Sequence, residues 1–544
     1  LLCITVFNAA GSDRQSISGL VRHDGRPVAG AIVRVQATNT SISTDKRGRF
    51  TLTGFRDASR VRLTAFAPGH YIAGPLLASP GDKNVIFYLK KHPERDNAEY
   101  VWIGARGSNA TLGNCQICHS EPDNPDSYLP FDEWMKDAHS NSATNKRFLS
   151  FYNGTDLGGG NRSPLTRYVN HKEYGKIPLP HNEQEPYFGP GFNLDSPNVA
   201  GDCAACHVPA TAVRAPYDTD PNRPDDVGKE GVTCDLCHKI WSVPLNPATG
   251  TPYPNTPGVL SIVFRRPERG NQLFLGPYDD VAPGHDSYSP LQKQSRICAP
   301  CHFAKFWGVQ IYNSYGEWLN SPYSDRVNGK TCQDCHMPRR GTTRAALASR
   351  GAPERDKNAV FSHLMPGAAD TTILQNTARL SLRAAREGEL LRVNVIVLNE
   401  KAGHHIPTDH PSRNILLVVA AASERGNSLR ILKGPLVPDW GGLGDEPDDY
   451  GGKPGRGYAK VLEELWTEAT PTVAYWNPTI IRQDTRIPAL GSDASEYEFQ
   501  APPAAGPIRV SARLIFRRAF KELMRQKNWN TPDILMNEAH LILP

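Results

Sequence analysis

Ten of the eleven cysteines in this chain fall in pairs spaced i, i+3, and each pair is followed at once by histidine. The five motifs are Cys115-Gln116-Ile117-Cys118-His119, Cys203-Ala204-Ala205-Cys206-His207, Cys234-Asp235-Leu236-Cys237-His238, Cys298-Ala299-Pro300-Cys301-His302 and Cys332-Gln333-Asp334-Cys335-His336. Two thiols three residues apart lie on one side of a helical turn, and the residue after the second projects beside them. That arrangement suits covalent capture of the two vinyl groups of one haem, with the histidine ligating the iron from below. A disulfide framework has no reason to place histidine after every second cysteine. A zinc site needs two further ligands and has no use for histidine at that position. Redox-active C-x-x-C pairs want a thioredoxin-like setting that none of the five has. The motifs therefore predict five covalently bound haem c groups, and this constrains the fold, because each brings a large apolar ring that serves as core.

An electron-carrying iron needs a second axial ligand, and its identity sets the potential. Of 17 histidines five are proximal, leaving twelve against only five methionines, and Met337 directly follows a proximal histidine. The chain thus favours bis-histidine ligation. The distal candidates are His139, on a short helical stretch after the first motif; His285, before the fourth; His363, after the fifth; His404, in Gly403-His404-His405-Ile406-Pro407-Thr408; and His171 and His181, in the long loop between motifs one and two. His23, His70, His92 and His540 lie in or beside strand-like segments or at the chain end and read as structural, and His410 is left open. The short gaps between motifs two and three and between four and five predict that each of these pairs forms close neighbours.

The fold class expected is multidomain. Residues 1–12, apolar and then small and polar with the leftover Cys3, read as the end of a secretory signal peptide. Residues 13–92 alternate apolar and polar positions between Asp24-Gly25, Arg47-Gly48 and Pro68-Gly69 turns and read as a β-sandwich. Residues 93–370 hold every motif, with poor periodicity and frequent Pro and Gly; short helices joined by long loops around haem are expected. Residues 371–544 turn β-rich again, with strand-like runs at 391–397, 415–419, 508–510 and 513–516, a helix over 519–526 and an exposed Gly/Asp-rich loop over 439–457. This last part is expected to contribute a distal ligand.

The motif region and the C-terminal part resemble large multihaem cytochromes c related to the cytochrome c554 group. The resemblance rests on residues 134–139 after the first motif, Gly231-Val232-Thr233, His336-Met337-Pro338, the 403–408 segment and Asp484-Thr485-Arg486-Ile487-Pro488. It implies that His404 is a distal ligand. Asp409 replaces the glycine usual after Pro-Thr, and His405 adjoins His404, so the choice between the two histidines stays open. The N-terminal part is similar to carboxypeptidase-regulatory-like sandwich domains.

These readings imply electron transfer between redox proteins in the periplasm or at the cell surface, since haem is attached after export. Two alternatives are an oxidoreductase acting on a small nitrogen compound at one open iron, against which the lysine-ligated C-x-x-C-K motif of many nitrite reductases is missing, and a subunit of an extracellular cytochrome filament. The formal net charge of +5 gives no case for nucleic acid, because haem propionates would add about two negative charges per haem. No apolar run reaches the about eighteen residues of a spanning helix.

Overall fold

Alternation in the first strands is what pairs them into a sandwich. Along Arg49–Thr53 every second side chain is buried, and this strand lies antiparallel to Ser16–His23, with Ile17 opposite Leu52 and Gly19 opposite Phe50. Arg26–Pro27 and, in parallel, Val85–Tyr88 complete that sheet. A second sheet runs Ser41–Ser43, Ile32–Val35, Val61–Phe66, Ala73–Ala78. Ile17, Val21, Val33, Leu63 and Phe87 meet between them, essentially without solvent exposure; each such side chain contributes about 1.5–3 kcal/mol of burial. The computed structural model describes residues 16–55, 60–107, 114–164, 168–179, 184–501, 503 and 506–544. Cys3, the apolar opening segment and His181 lie outside them.

The N-terminal sandwich is tied to the motif region through residues 272–288 and Trp241. Arg34 pairs with Asp279 at 2.7 Å, the Ala37 N–H donates to Asp280 at 2.6 Å, and Arg355 meets the same Asp280 at 2.6 Å. The Ile72 N–H donates to the Asp286 carbonyl, and Phe66 meets Tyr288 edge to face.

In the motif region the helices are short; the longest, Lys146–Asn153, has eight residues. It starts on Asn145, whose side chain accepts from the N–H groups of Arg147 and Phe148, and stops at Gly154 in the left-handed conformation. Small side chains let the motif helices close on one another: Ala204, Ala205 and Val208 of the second motif share a core with Leu236 and Ile240 of the third. Gly258 presses on this core, since a Cβ there would sit 2.1 Å from the Ala205 carbonyl oxygen.

The C-terminal part is a second sandwich. One sheet runs Ala378–Glu387, Leu390–Asn399, Ser492–Gln500, Ile431–Lys433; the other runs Thr479–Asp484, Gly455–Glu464, Asn414–Ser423, Ile508–Arg517, Ile534–Leu543. The strands expected at 391–397 and 415–419 are its centre, with Leu391, Val393, Val395 and Val397 facing Ile415, Leu417 and Val419 in one core. The expected helix is two residues shorter, Lys521–Gln526, because Phe520 is held extended with its ring buried among Trp529, Val461 and Ala519. In the 439–457 loop, Glu446 and Asp448 pair with Lys521, and Asp449 pairs with Arg525. Among the described residues no helix is long and apolar enough to cross a membrane.

Lys527 joins this sandwich to the motif region. Its fully buried ammonium donates to the carbonyls of Ser150, Thr155 and Pro190 at 2.8–3.0 Å. Lys527→Met removes three hydrogen bonds from one charged donor, at about 1.5–3 kcal/mol each, although the Ser150 carbonyl keeps the Gly154 and Thr155 N–H groups and the Thr155 carbonyl keeps the Ser150 hydroxyl. The expected outcome is a loss of about 3 kcal/mol or more, read as a lowered thermal midpoint; an unchanged midpoint would show that the clamp contributes nothing.

Candidate haem-binding sites

Each motif forms a single helical turn: Gln116–His119, Ala204–His207, Cys234–Cys237, Ala299–His302 and Cys332–His336. Thr233 caps the third by accepting from the Leu236 N–H. Thr331 and Asp334 make a reciprocal capping box on the fifth. All ten cysteines are free thiols.

The five motif histidines share one device. Nδ1 of His119 faces the Ala345 carbonyl oxygen at 2.6 Å, His207 that of Ser142 at 3.3 Å, His238 that of Leu275 at 2.9 Å and His336 that of Pro366 at 2.7 Å. His302 instead meets a carboxylate, Asp409 Oδ2, at 3.0 Å. With the Nδ1 proton donated backwards, Nε2 carries a lone pair and is aimed outwards, as metal-ligating histidines require. Burial pushes His207 and His336 down to about 4, so their imidazoles are neutral near pH 7. Burial also acts on His302, but the bond and charge of Asp409 outweigh it and hold that imidazole up at about 9. Paired free thiols beside a histidine whose Nδ1 is tied to an oxygen fit haem c.

Two distal candidates face motif histidines directly. The rings of His139 and His302 are 6.4 Å apart, with planes crossed at 73°; those of His336 and His404 are 6.3 Å apart, with planes 16° from parallel. Two imidazoles on opposite faces of one iron have centres roughly 6 Å apart, two metal–nitrogen bonds of about 2 Å plus two ring radii. His139 is held by its surroundings. Its Nδ1 lies 2.6 Å from Asp137 Oδ2, and its carbonyl accepts from the Val232 N–H. Trp134 Nε1 donates to the Val232 carbonyl. Gly231, at φ +68°, allows that close approach, since a Cβ would come within 2.4 Å of the His139 carbonyl oxygen. The 134–139 and 231–233 segments, far apart in sequence, are thus one packed unit. His405 points elsewhere, with Nδ1 3.5 Å from Glu317, which also holds Arg486 and Thr408.

The other candidates divide. His363 is enclosed near both His238 and His119, whose charges bear on it, with its N–H donated to Glu133. His285 is 42% exposed beside Phe274, its ring 5.5 Å from that ring and facing no motif histidine among the described residues; the strand pairing of residues 274–276 with 286–288 fixes it there. His171 is exposed on a hairpin, stacked on Tyr174, and its Nδ1 accepts from the Glu173 and Tyr174 N–H groups. Among the described residues its ring meets that of Tyr174 and no motif histidine.

His410, left open by the sequence, joins the second motif. Its ring is stacked on Phe151 at 5.1 Å and lies 6.3 and 5.8 Å from Tyr312 and Tyr475. These two tyrosines are hydrogen-bonded at 2.6 Å and feel the charge of Cys203. Ser412 Oγ, which donates to the Arg518 carbonyl, lies 2.8 Å from His410 Nδ1, and that nitrogen accepts from the Ser412 N–H at 3.2 Å.

Neighbouring thiols order the motifs. Cys115 and Cys234 pack against the same core of Ala105, Phe131 and Trp134, and Cys206 lies near enough to interact with Cys301, as Cys298 does with Cys332 and Cys237 with Cys301. Motifs four and five are neighbours as expected. Motifs two and three share a helix core, but their thiols go to four and one instead, because the small faces of their helices are what pack together.

No family model and no curated protein matches the chain. One solved structure it resembles is a penta-heme cytochrome c552 from Thermochromatium tepidum, at 19% identity and a TM-score of 0.50, over 79% of this chain and 97% of that one. At that identity the likeness is one of fold.

Proposed function

We propose that this chain is a five-haem c-type cytochrome that passes electrons between redox proteins in the periplasm or at the cell surface. The observation that carries the reading is the common geometry of the five motifs: paired free thiols on one helical turn, beside a histidine whose Nδ1 is spent on an oxygen and whose Nε2 is therefore available. In this reading the cysteine pairs hold haem through thioether bonds. His139 completes the iron on His302, His404 that on His336 and His410 that on His207, while His363 serves the first or the third. The neighbouring thiols bring successive haems close enough for electron exchange. The layout we infer is a docking sandwich over 13–92, a haem domain over 93–370 and a ligand-supplying sandwich over 371–544. Association into a filament would extend the same array.

The test is haem content by pyridine haemochromogen together with carbon monoxide titration of the reduced holoprotein. Five haems per chain that stay largely six-coordinate support the carrier; fewer than five haems sink it. His410→Ala is expected to add one equivalent of carbon monoxide binding, and an unchanged titration would remove His410 from the ligand set.

A second reading rests on one observation. Among the described residues only His363 lies between the first and third motifs, and His285 faces neither. An iron there with an open position would bind carbon monoxide in the wild-type protein, one equivalent per chain, and would point to chemistry on a small nitrogen compound.

A further inference from the structure

We propose that the fourth site, on Cys298, Cys301 and His302, is the junction of the array and is held at its lowest reduction potential by two buried carboxylates, Asp409 and Asp137, one on each axial histidine. The inference rests on the reading above that the motifs carry haem.

The fourth site differs from the others in its hydrogen-bond acceptors. Four motif histidines give Nδ1 to a backbone carbonyl, and His302 alone gives it to a carboxylate. The histidine facing it, His139, gives its own Nδ1 to Asp137 at 2.6 Å. The fifth site supplies an internal comparison. There His336 and His404 face each other at nearly the same distance, but their Nδ1 atoms meet the carbonyls of Pro366 and His405.

Neither carboxylate is free to swing. Asp137 and Asp409 are 3% and 8% exposed. Asp409 Oδ1 accepts from the N–H groups of Asn313 and Ser314, which leaves Oδ2 for His302. Asp137 Oδ1 accepts from the Ala138 N–H, and Oδ2 from the His139 N–H as well as Nδ1. Asp409 sits at φ +59°, a left-handed conformation that glycine adopts freely and that aspartate is among the few other residues to tolerate.

The physics has one sign. A carboxylate accepting the Nδ1 proton makes Nε2 a stronger donor, which favours ferric over ferrous iron. Its negative charge in a poorly screened interior also disfavours adding an electron nearby. Two such carboxylates, on opposite faces, act together on one iron. That site also adjoins two others: Ser295, just before Cys298, accepts the N–H of Cys332 of the fifth motif at 3.0 Å, and Ser142, just after His139, donates to the carbonyl of His207 of the second at 2.9 Å. A junction of lowest potential keeps electrons on the arms and is itself reduced only in passing.

The experiment is a reductive titration of the holoprotein followed by electron paramagnetic resonance. Axial imidazoles with crossed planes give a highly anisotropic low-spin ferric signal, and near-parallel ones give a rhombic signal, so the sites on His302 and His336 are separable. The anisotropic signal is expected to disappear last. Asp409→Asn, which keeps an acceptor for Asn313 and Ser314, shifts its midpoint upward; Asp137→Asn does so independently, the double variant shifts it further, and the rhombic signal stays in place. If Asp409→Asn does not fold, Asp137→Asn reads the same effect alone. An anisotropic signal that reduces first, or midpoints unmoved in variants that carry five haems, overturns the proposal while leaving the cytochrome reading intact. A holoprotein with fewer than five haems overturns both.

Discussion

Replacing His139 or His404 with alanine should each add one equivalent of carbon monoxide binding per chain to the reduced protein, and the double variant should add two. The expectation follows from ring separations of 6.4 and 6.3 Å to His302 and His336, the span that two imidazoles keep across one iron. Alanine leaves the haem attached by its thioethers and its proximal histidine but vacates one face. The iron then becomes high-spin and ligand-binding, a change visible in the Soret and charge-transfer bands. His405→Ala is the discriminating control. It adjoins His404 in sequence, but its Nδ1 points to Glu317, so its removal should leave the titration where it was. A new binding equivalent in His405→Ala, with none in His404→Ala, would reverse the assignment.

The second large effect concerns the chain made without haem attachment, as when the ten motif cysteines are replaced by serine. Residues 93–370 are expected to lose nearly all protection from protease, while fragments near 16–92 and 371–544 survive. The two sandwiches have cores of their own, Ile17, Val33, Leu63 and Phe87 in one and Val393, Val395, Leu417 and Leu514 in the other. Between them, among the described residues, no helix exceeds eight residues, well short of the about 12–15 at which an isolated helix becomes even marginal. Alanine-rich clusters such as Ala204, Ala205, Ala210 and Ala212 bury little area each. A haem-free chain that resists protease throughout would show that the protein side chains alone hold the centre together.

The cysteine spacing made the five helical turns legible, and the period-two runs at 391–397 and 415–419 made the C-terminal sheets legible, because both signals are local. Ligand pairing was legible only where a local pattern carried it. His139 and His404 stood in readable segments, yet their partners His302 and His336 lie 163 and 68 residues away, and only tertiary packing joins them. His410 carried no signal, since what makes it a candidate is the aromatic enclosure of Phe151, Tyr312 and Tyr475 drawn from three distant segments. His171 and His285 resembled the others in sequence; the one lies in a hairpin turn and the other beside a strand pairing. Asp409 was visible as a departure from glycine, but its role depends on where His302 comes to rest.

The C-terminal sandwich supplies His404, Asp409 and His410 to motif histidines that precede them by between 68 and 203 residues. On the proposed reading, all ten motif thiols therefore emerge during synthesis before the residues that close these sites exist. Covalent attachment can proceed on an open, accessible strand of chain, with final ligation left to the last part to arrive. A truncation that removes the second sandwich would be expected to yield a protein that still carries its haems but has several irons exposed on one face, so the C-terminal half acts as the step that converts a loaded chain into a sealed conductor.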